Sequence, residues 1–296
     1  MIPPMKLRDW IDINKLYWTC LSLNPNAIDL LEKNPDKIDW FSLTKNPNAI
    51  HLLEQNLDKV CWWALSENPN AIHILEKNQD KINWCWLSLN PNAIHLLEKN
   101  PDKINWNSLS KNINAIHLLE KNQDKIDWRI LSQNSNAIHL LEQNQDKIPW
   151  SELHLNLNAI NLIEQNQDKI WIYGLSLNKN AIHLLEKNPD KIVWRYLSLS
   201  PNAMHLLEKN SNKIHWDNLS KNKNAMHLLE NNQDKIYWEY LSENPSIFTY
   251  DYEKMKEQMK QSGLAEELAE KVFSPTRLMK LCEKYGLELE ELQEIY

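Results

Sequence analysis

The stretch NPNAIHLLEKNPDKINW, Asn90 to Trp106, decides the fold, because nearly the same words precede and follow it along most of the chain. Trp stands at positions 18, 40, 62, 84, 106, 128, 150, 194, 216 and 238, so every step is 22 residues except one double step across Ile172. Self-similarity at a fixed period is the mark of a repeat array. A catalytic site is built once, so a phrase said ten times is architecture. With Trp as its first letter the unit reads W-x-x-L-S-x-N-P-N-A-I-H-L-L-E-K-N-Q-D-K-I-x. Ten full units run from Trp18 to Tyr237, and an eleventh starts at Trp238 and leaves the pattern after Pro245.

Within the phrase, Asn90 suits an N-cap and Pro91 the first helical position, where a missing N–H costs nothing. Ala93, Ile94, Leu96 and Leu97 make one apolar face, and His95, Glu98 and Lys99 make the other. Asn100 is expected to end this helix in a left-handed conformation, with Pro101 and Asp102 in a tight turn, which leaves a helix of about nine residues. A shorter helix is predicted from Trp106, capped by Asn105. Ile104 with Leu109, and Leu89 with Ile94, have the spacing of hydrophobic staples. Asp39, Asn83 and Asp127 fill the same cap slot, whereas Cys61, Val193 and Tyr237 do not.

Helices this short do not stand alone in water, so each unit must cover its apolar face with the next. Stacked helix pairs form an α-solenoid. A β-solenoid is the rival at this period, and the Leu-Leu-Glu-Lys runs and Asn-Pro caps argue against it. The expected fold is all-α: an α-solenoid of ten 22-residue two-helix repeats with terminal caps. As an open superhelix, with helices ~8–10 Å apart, it has a contour of ~90 Å. Residues 1–17 carry a degenerate half-unit, in which Lys15, Leu16 and Trp18 match while Arg8 and Trp10 do not, and they are expected to cap the first apolar face. Residues 18–250 are the solenoid. Residues 251–296 are a C-terminal cap or small helical module, with helices expected over 251–262, 264–273, from Ser274-Pro275 to Gly286, and over 287–296.

Composition agrees with helices: the chain has only 3 Gly, with 14 Trp against 3 Phe. The net charge of −7, with Lys alternating with Asp and Glu, lacks the basic stripe of a nucleic-acid binder, though a local basic face stays open. No apolar run approaches a membrane span, and MIPPMKLRDW lacks the core of a signal peptide. Cys20, Cys61, Cys85 and Cys282 form no CxxC pair and read as reduced thiols of a cytosol-like compartment.

Each invariant column has a bland reading and a sharp one. The Trp column reads as a stacked core row; the alternative is a set of platforms for sugars or bases. The His column (His51, His73, His95, His117, His139, His183, His205, His227) reads as hydrogen-bonded to nearby Glu or Lys. Columns a helix diameter apart cannot converge on one ion, so no metal site is expected. The Asn at 26, 48, 70, 92 and onward reads as a ladder to the adjacent unit. It is the same in all ten full units and so encodes no base sequence. Glu, Asp and Lys columns read as a solvated face that pairs across units. No carboxylate pair, Ser-His-Asp set or Gly-rich phosphate loop stands out, so no enzyme and no cofactor is expected, and only the unique tail has room for one.

What varies is the pair of residues after each Trp. Among them Phe41, Trp63, Trp86, Arg129, Tyr173, Arg195, Tyr196 and Tyr240 are of the types that dominate protein contacts. They share one helix per unit, hence one face of the solenoid, and are the candidate partner-binding surface. Unselected surface drift is the alternative.

The wording LSLNPNAIHLLEKNPDKINW resembles a family of short-repeat proteins of giant double-stranded DNA viruses, from Met5 to about Tyr252, with KLRDWIDINKLYW and NPSIFTYDY fitting at the ends. The resemblance implies a viral origin, in a host's cytoplasm or a virion, and no catalytic residues. The function expected from the whole reading is a non-enzymatic scaffold for a protein partner. A nucleic-acid-binding solenoid and a structural virion component are the runners-up.

Overall fold

The computed structural model describes residues 3–263 and Lys271. The shorter helix forms where the phrase places it. Trp106–Lys111 is α-helical, and Asn105 accepts a hydrogen bond from the Ser108 N–H, which satisfies one of the donors a helix start leaves unpaired. Asp39, Asn83 and Asp127 do the same for Trp40–Lys45, Trp84–Leu87 and Trp128–Leu131. This is the Trp helix of each unit.

The second helix, the His helix, is Ile94–Lys99 in the quoted stretch, shorter than expected. Asn90 does not cap it. The Asn90 Oδ1 accepts from the Asn92 N–H at 3.0 Å, and Ala93 N–H donates to the Asn90 carbonyl at 3.1 Å, so Asn90 to Ala93 is a turn and Ala93 holds the cap position. Asn100 ends the helix at φ −133°, not in the left-handed region. Its amide donates to the Leu96 carbonyl at 2.9 Å, and this satisfies an orphan carbonyl without positive φ. Pro101–Lys103 is a 3-10 turn that delivers the chain to the next Trp.

Between the two layers lies a narrow core. Leu87, Ala93 and Leu97 are fully buried, and their counterparts repeat along the chain. Burying one such Leu contributes roughly 1.5–3 kcal/mol. The architecture is an all-α repeat solenoid. It divides into two compact units, Leu7–Phe248 and a smaller one built from the terminal stretches outside it. The strands Met5–Leu7 and Phe248–Tyr250 pair in a two-stranded sheet, and the smaller unit contains the helix Tyr252–Gln261, capped by Asp251. The helices expected over 264–296 lie outside the described residues.

The solenoid is not an open superhelix. Its first Trp helix, 18–23, packs against the last, 238–243, as it does against the next, 40–45. The side-chain bonds have the same register across this seam as elsewhere. The Asn46 amide donates to the carbonyls of Ser22 and Asn24, and the Asn24 amide donates to those of Ser242 and Asn244. Asn48 donates to the Pro25 carbonyl, and Asn26 to that of Pro245. Asp39 N–H donates to Ser22 Oγ, and Tyr17 N–H to Ser242 Oγ. Eleven Trp-helix positions therefore close into a ring within Leu7–Phe248.

Closure explains the residues before Trp18. Ile13–Lys15 forms the 3-10 turn that precedes most of the Trp positions, and Leu16 is buried in the slot held in most other units by Ile. In ring order this turn follows Trp238–Glu243. The eleventh unit thus takes its beginning from one end of the chain and its finish from the other. Arg8 fastens the two parts, donating from its backbone N–H to the Ile247 carbonyl and from Nε to the Ser246 carbonyl. The apolar face of the first unit is covered by the eleventh.

Candidate functional site

Three columns of side chains hold the units together, and two of them were not anticipated. The Asn at 24, 46, 68, 90 and onward is buried, and its amide bridges two carbonyls of the preceding unit. The Asn at 26, 48, 70 and 92 forms the expected ladder, at 2.8–3.0 Å. The Ser four residues after Trp is a relay. Ser88 Oγ donates to the Trp84 carbonyl and accepts from the N–H of Asn105, the cap of the following unit's Trp helix.

The Trp column is not a fully buried stack. Each indole is half-buried, and the Lys ammonium near the end of its own unit stands 4.5–5.0 Å from its ring centroid, from Lys37 over Trp18 round to Lys15 over Trp238. Where Ile172 replaces Trp, Lys191 stands 5.6 Å from Tyr173 instead. The Lys column therefore meets aromatic faces rather than the Asp and Glu columns. The His column behaves as expected. Seven His Nε2 atoms lie 2.6–3.0 Å from a Glu Oε1 of the preceding unit, as in His95 with Glu76. Among the described residues no three His, Cys, Asp or Glu side chains are grouped to hold a metal ion.

Neighbouring Trp helices lie side by side, whereas neighbouring His helices stand farther apart. In a closed ring the more closely spaced layer is the inner one. Within a Trp helix the third and fourth residues after Trp are buried against the outer layer, as Leu109 and Ser110 are, while the first and fifth, Asn107 and Lys111, are exposed. The exposed face looks into the bore. Eleven helices ~8–10 Å apart, each ~10–12 Å across, leave a bore of about 20 Å.

The candidate residues all stand on this layer. Phe41 and Tyr173 are 46% and 42% exposed, Arg129 and Arg195 are exposed, and Trp63, Trp86, Tyr196 and Tyr240 are half-buried. The structure joins three of them. Phe41 and Trp63 have centroids 5.4 Å apart, and Trp63 and Trp86 4.9 Å, so consecutive units form one aromatic row. Arg129 is held apart by Glu152 at 3.1 Å, and Tyr240 packs on Tyr237 at 4.7 Å beneath Lys221. The sequence reading missed the fifth residue after Trp, which shares the exposed face one turn on. Lys45 there stands 4.8 Å from the Phe41 ring and 5.1 Å from that of Trp63, and Leu177 is 38% exposed. The i, i+4 spacing within the Trp helix was the available signal.

One sector is irregular. Pro149 has no N–H to give Ser132, and His154 replaces the relay Ser of the next unit, so two successive relay bonds are absent. The Trp helices there become 3-10 turns, Leu153–Leu155 and Ile172–Leu177. The His154 ring meets Trp171 edge-on at 5.2 Å, its Nδ1 lies 2.7 Å from the Ser151 carbonyl, and burial pushes its pKa down. A Cβ on Gly174 would stand 2.5 Å from His154 Cδ2 and 2.6 Å from Trp171 Cε3, so the site requires glycine.

Among the described residues no helix is long and apolar enough to cross a membrane. A family model described as Periplasmic copper-binding protein (NosD) matches residues 13–195, a stretch that is repeat from end to end. No curated protein and no solved structure matches the chain.

Proposed function

The chain belongs to the family described as Periplasmic copper-binding protein (NosD), and from the geometry of its own ring we propose that it is a non-enzymatic scaffold whose protein partner docks on the bore-lining face of the Trp helices. One observation carries this reading. The invariant columns are spent on joining units, while the variable, exposed positions converge on a single concave surface with a continuous aromatic row, Phe41–Trp63–Trp86. Aromatic and Arg side chains presented this way supply much contact area at little entropic cost. The wording that resembles giant-virus repeat proteins supports a place in an infected host's cytoplasm or in a virion.

The copper of the family's description does not fit the residues described. The imidazoles of seven units are each engaged with a carboxylate, and no metal-holding group of donors exists among the described residues. Nucleic acid is disfavoured by charge. The first, second and fifth positions after Trp carry five cations (Lys45, Lys111, Arg129, Arg195, Lys221) against five anions (Glu67, Glu152, Asp217, Glu239, Glu243). A wall without net positive charge gains little from counterion release.

Affinity capture from infected-host lysate tests the reading, comparing the wild type with a variant carrying Ala at Trp63, Trp86, Tyr173 and Tyr196. The expected result is a protein retained by the first and lost by the second, with both chains equally helical by circular dichroism. Equal retention on both, or salt-sensitive retention of nucleic acid alone, overturns it.

A further inference from the structure

The residues that line the bore are not scattered. Taken round the ring, units two to eleven fall into four arcs, with the small unit-one residues Thr19 and Cys20 between the last and the first. Units two to four present the aromatic row of Phe41, Trp63 and Trp86. Units five and six follow with Lys111 and Arg129. Units seven to nine expose Tyr173 and Leu177, and their two charges, Glu152 and Arg195, cancel, as Lys45 and Glu67 do in units two to four. Units ten and eleven carry Asp217, Glu239 and Glu243 against the single cation Lys221. In a ring of eleven, unit three faces the gap between units eight and nine, and the gap between units five and six faces unit eleven. An aromatic arc without net charge therefore faces another, and the basic arc faces the acidic one. Two of the charges have partners on the wall, Arg129 with Glu152 at 3.1 Å and Glu243 with Lys221 at 2.9 Å.

We propose that the bore takes a single α-helix of the partner protein, inserted end-on. Its apolar edges lie against Trp63 on one side and Tyr173 on the other, its acidic edge toward Lys111 and Arg129, and its basic edge toward Asp217 and Glu239. This rests on the scaffold reading above and names its ligand class. A helix is ~10–12 Å across with its side chains, so it fits a bore of about 20 Å narrowed by indoles and long side chains. The opposed charges fix its rotation, since each wrong rotation sets like charges together. The Trp helices, six residues long at most, make a wall of about 9 Å, so roughly two turns of the guest are enclosed.

Because the ring is closed, the guest needs a free end, and that makes the test specific. The probe is a fluorescein-labelled helix of about twenty residues, with Leu on two opposite edges and Glu and Lys on the other two. It is measured against the full chain by anisotropy. A second probe carries the same helix between two folded domains, each wider than the bore. The free-ended helix is expected to bind at least tenfold more tightly than the doubly blocked one. Lys111→Glu combined with Arg129→Glu is expected to weaken it about tenfold with melting temperature unchanged. Equal binding of both probes places the helix on an outer face and overturns the inference, while leaving the scaffold reading to its own capture experiment. Absence of binding, or equal binding of a charge-scrambled helix, also overturns it.

Discussion

The side-chain amide of Asn24 lies 3.0 Å from the carbonyl oxygen of Asn244, across 220 residues of sequence. It is the same bond that Asn46 makes to Asn24 at 2.9 Å, one unit along. The first and last repeat positions thus meet at a junction bonded like those between consecutive units.

Asn24→Ala is expected to cost about 2 kcal/mol, since it leaves buried carbonyls without their donor. Asn90→Ala, in the middle of the chain, is expected to cost about the same. Urea unfolding of the two variants checks this. In an open solenoid the terminal substitution would be nearly silent, so a large difference between them would remove the ring.

Ser200 stands where other units have the bridging Asn, and its buried Oγ has no hydrogen-bond partner. Its backbone, φ −80° and ψ 117°, matches that of Asn112 at φ −72° and ψ 115°. Ser200→Asn is therefore expected to stabilise the chain by about 1 kcal/mol, a rise of a few degrees in melting temperature. A fall would mean that the neighbouring Met204 leaves the longer side chain no room.

Lys81 stands 4.6 Å from the Trp62 ring centroid. Replacing it by Met keeps the aliphatic stem and removes the charge. The expected loss is about 0.5–1 kcal/mol, the size of a partly exposed cation–π contact. Chemical denaturation of Lys81→Met beside Lys81→Ala separates the charge from the packing. An unchanged stability in the Met variant would show the ammonium to be idle.

His154 has its pKa held below the usual histidine value by burial, opposed by the Ser151 carbonyl and Glu152. The unfolded chain therefore binds a proton there more readily than the folded one. Stability from this residue is complete above the unfolded value near 6.5 and declines as pH falls below it. His154→Ser, which also restores the relay hydroxyl toward Trp171 N–H, is expected to flatten that part of the slope. Melting curves at pH 7.5 and 5.5 for both chains decide it; parallel slopes would exclude the residue as the source.

Period, helix content and the Trp-helix caps were legible because each depends on neighbours in sequence. Asn105 and Asp39 could be read as caps from spacing alone. The longer helix was overdrawn because Asn-Pro is also the start of a turn, and a buried amide that bridges two carbonyls of another unit leaves no local trace. Closure was written in the sequence in a form easy to overlook. The half-unit ending at Tyr17 and the half-unit beginning at Trp238 complete one another, though each alone resembles a frayed end. Of the variable pair after Trp the first residue is exposed in nearly every unit, whereas the second is buried at Ser42, Ala64, Gly174 and Asn218, which variability alone does not reveal. Lys45 and Leu177 were missed because the fifth position is often Leu or Lys and looks like part of the phrase.

An ordinary solenoid loosens from its tips, which have neighbours on one side only. This one has no tips. The two ends of its repeat meet at a seam with the full complement of amide, hydroxyl and lysine contacts, whereas the arc from Pro149 to Ser200 lacks two relay bonds and one bridging amide. The hoop should part away from the join, within that arc, and slow amide exchange should be lost there before it is lost at the join.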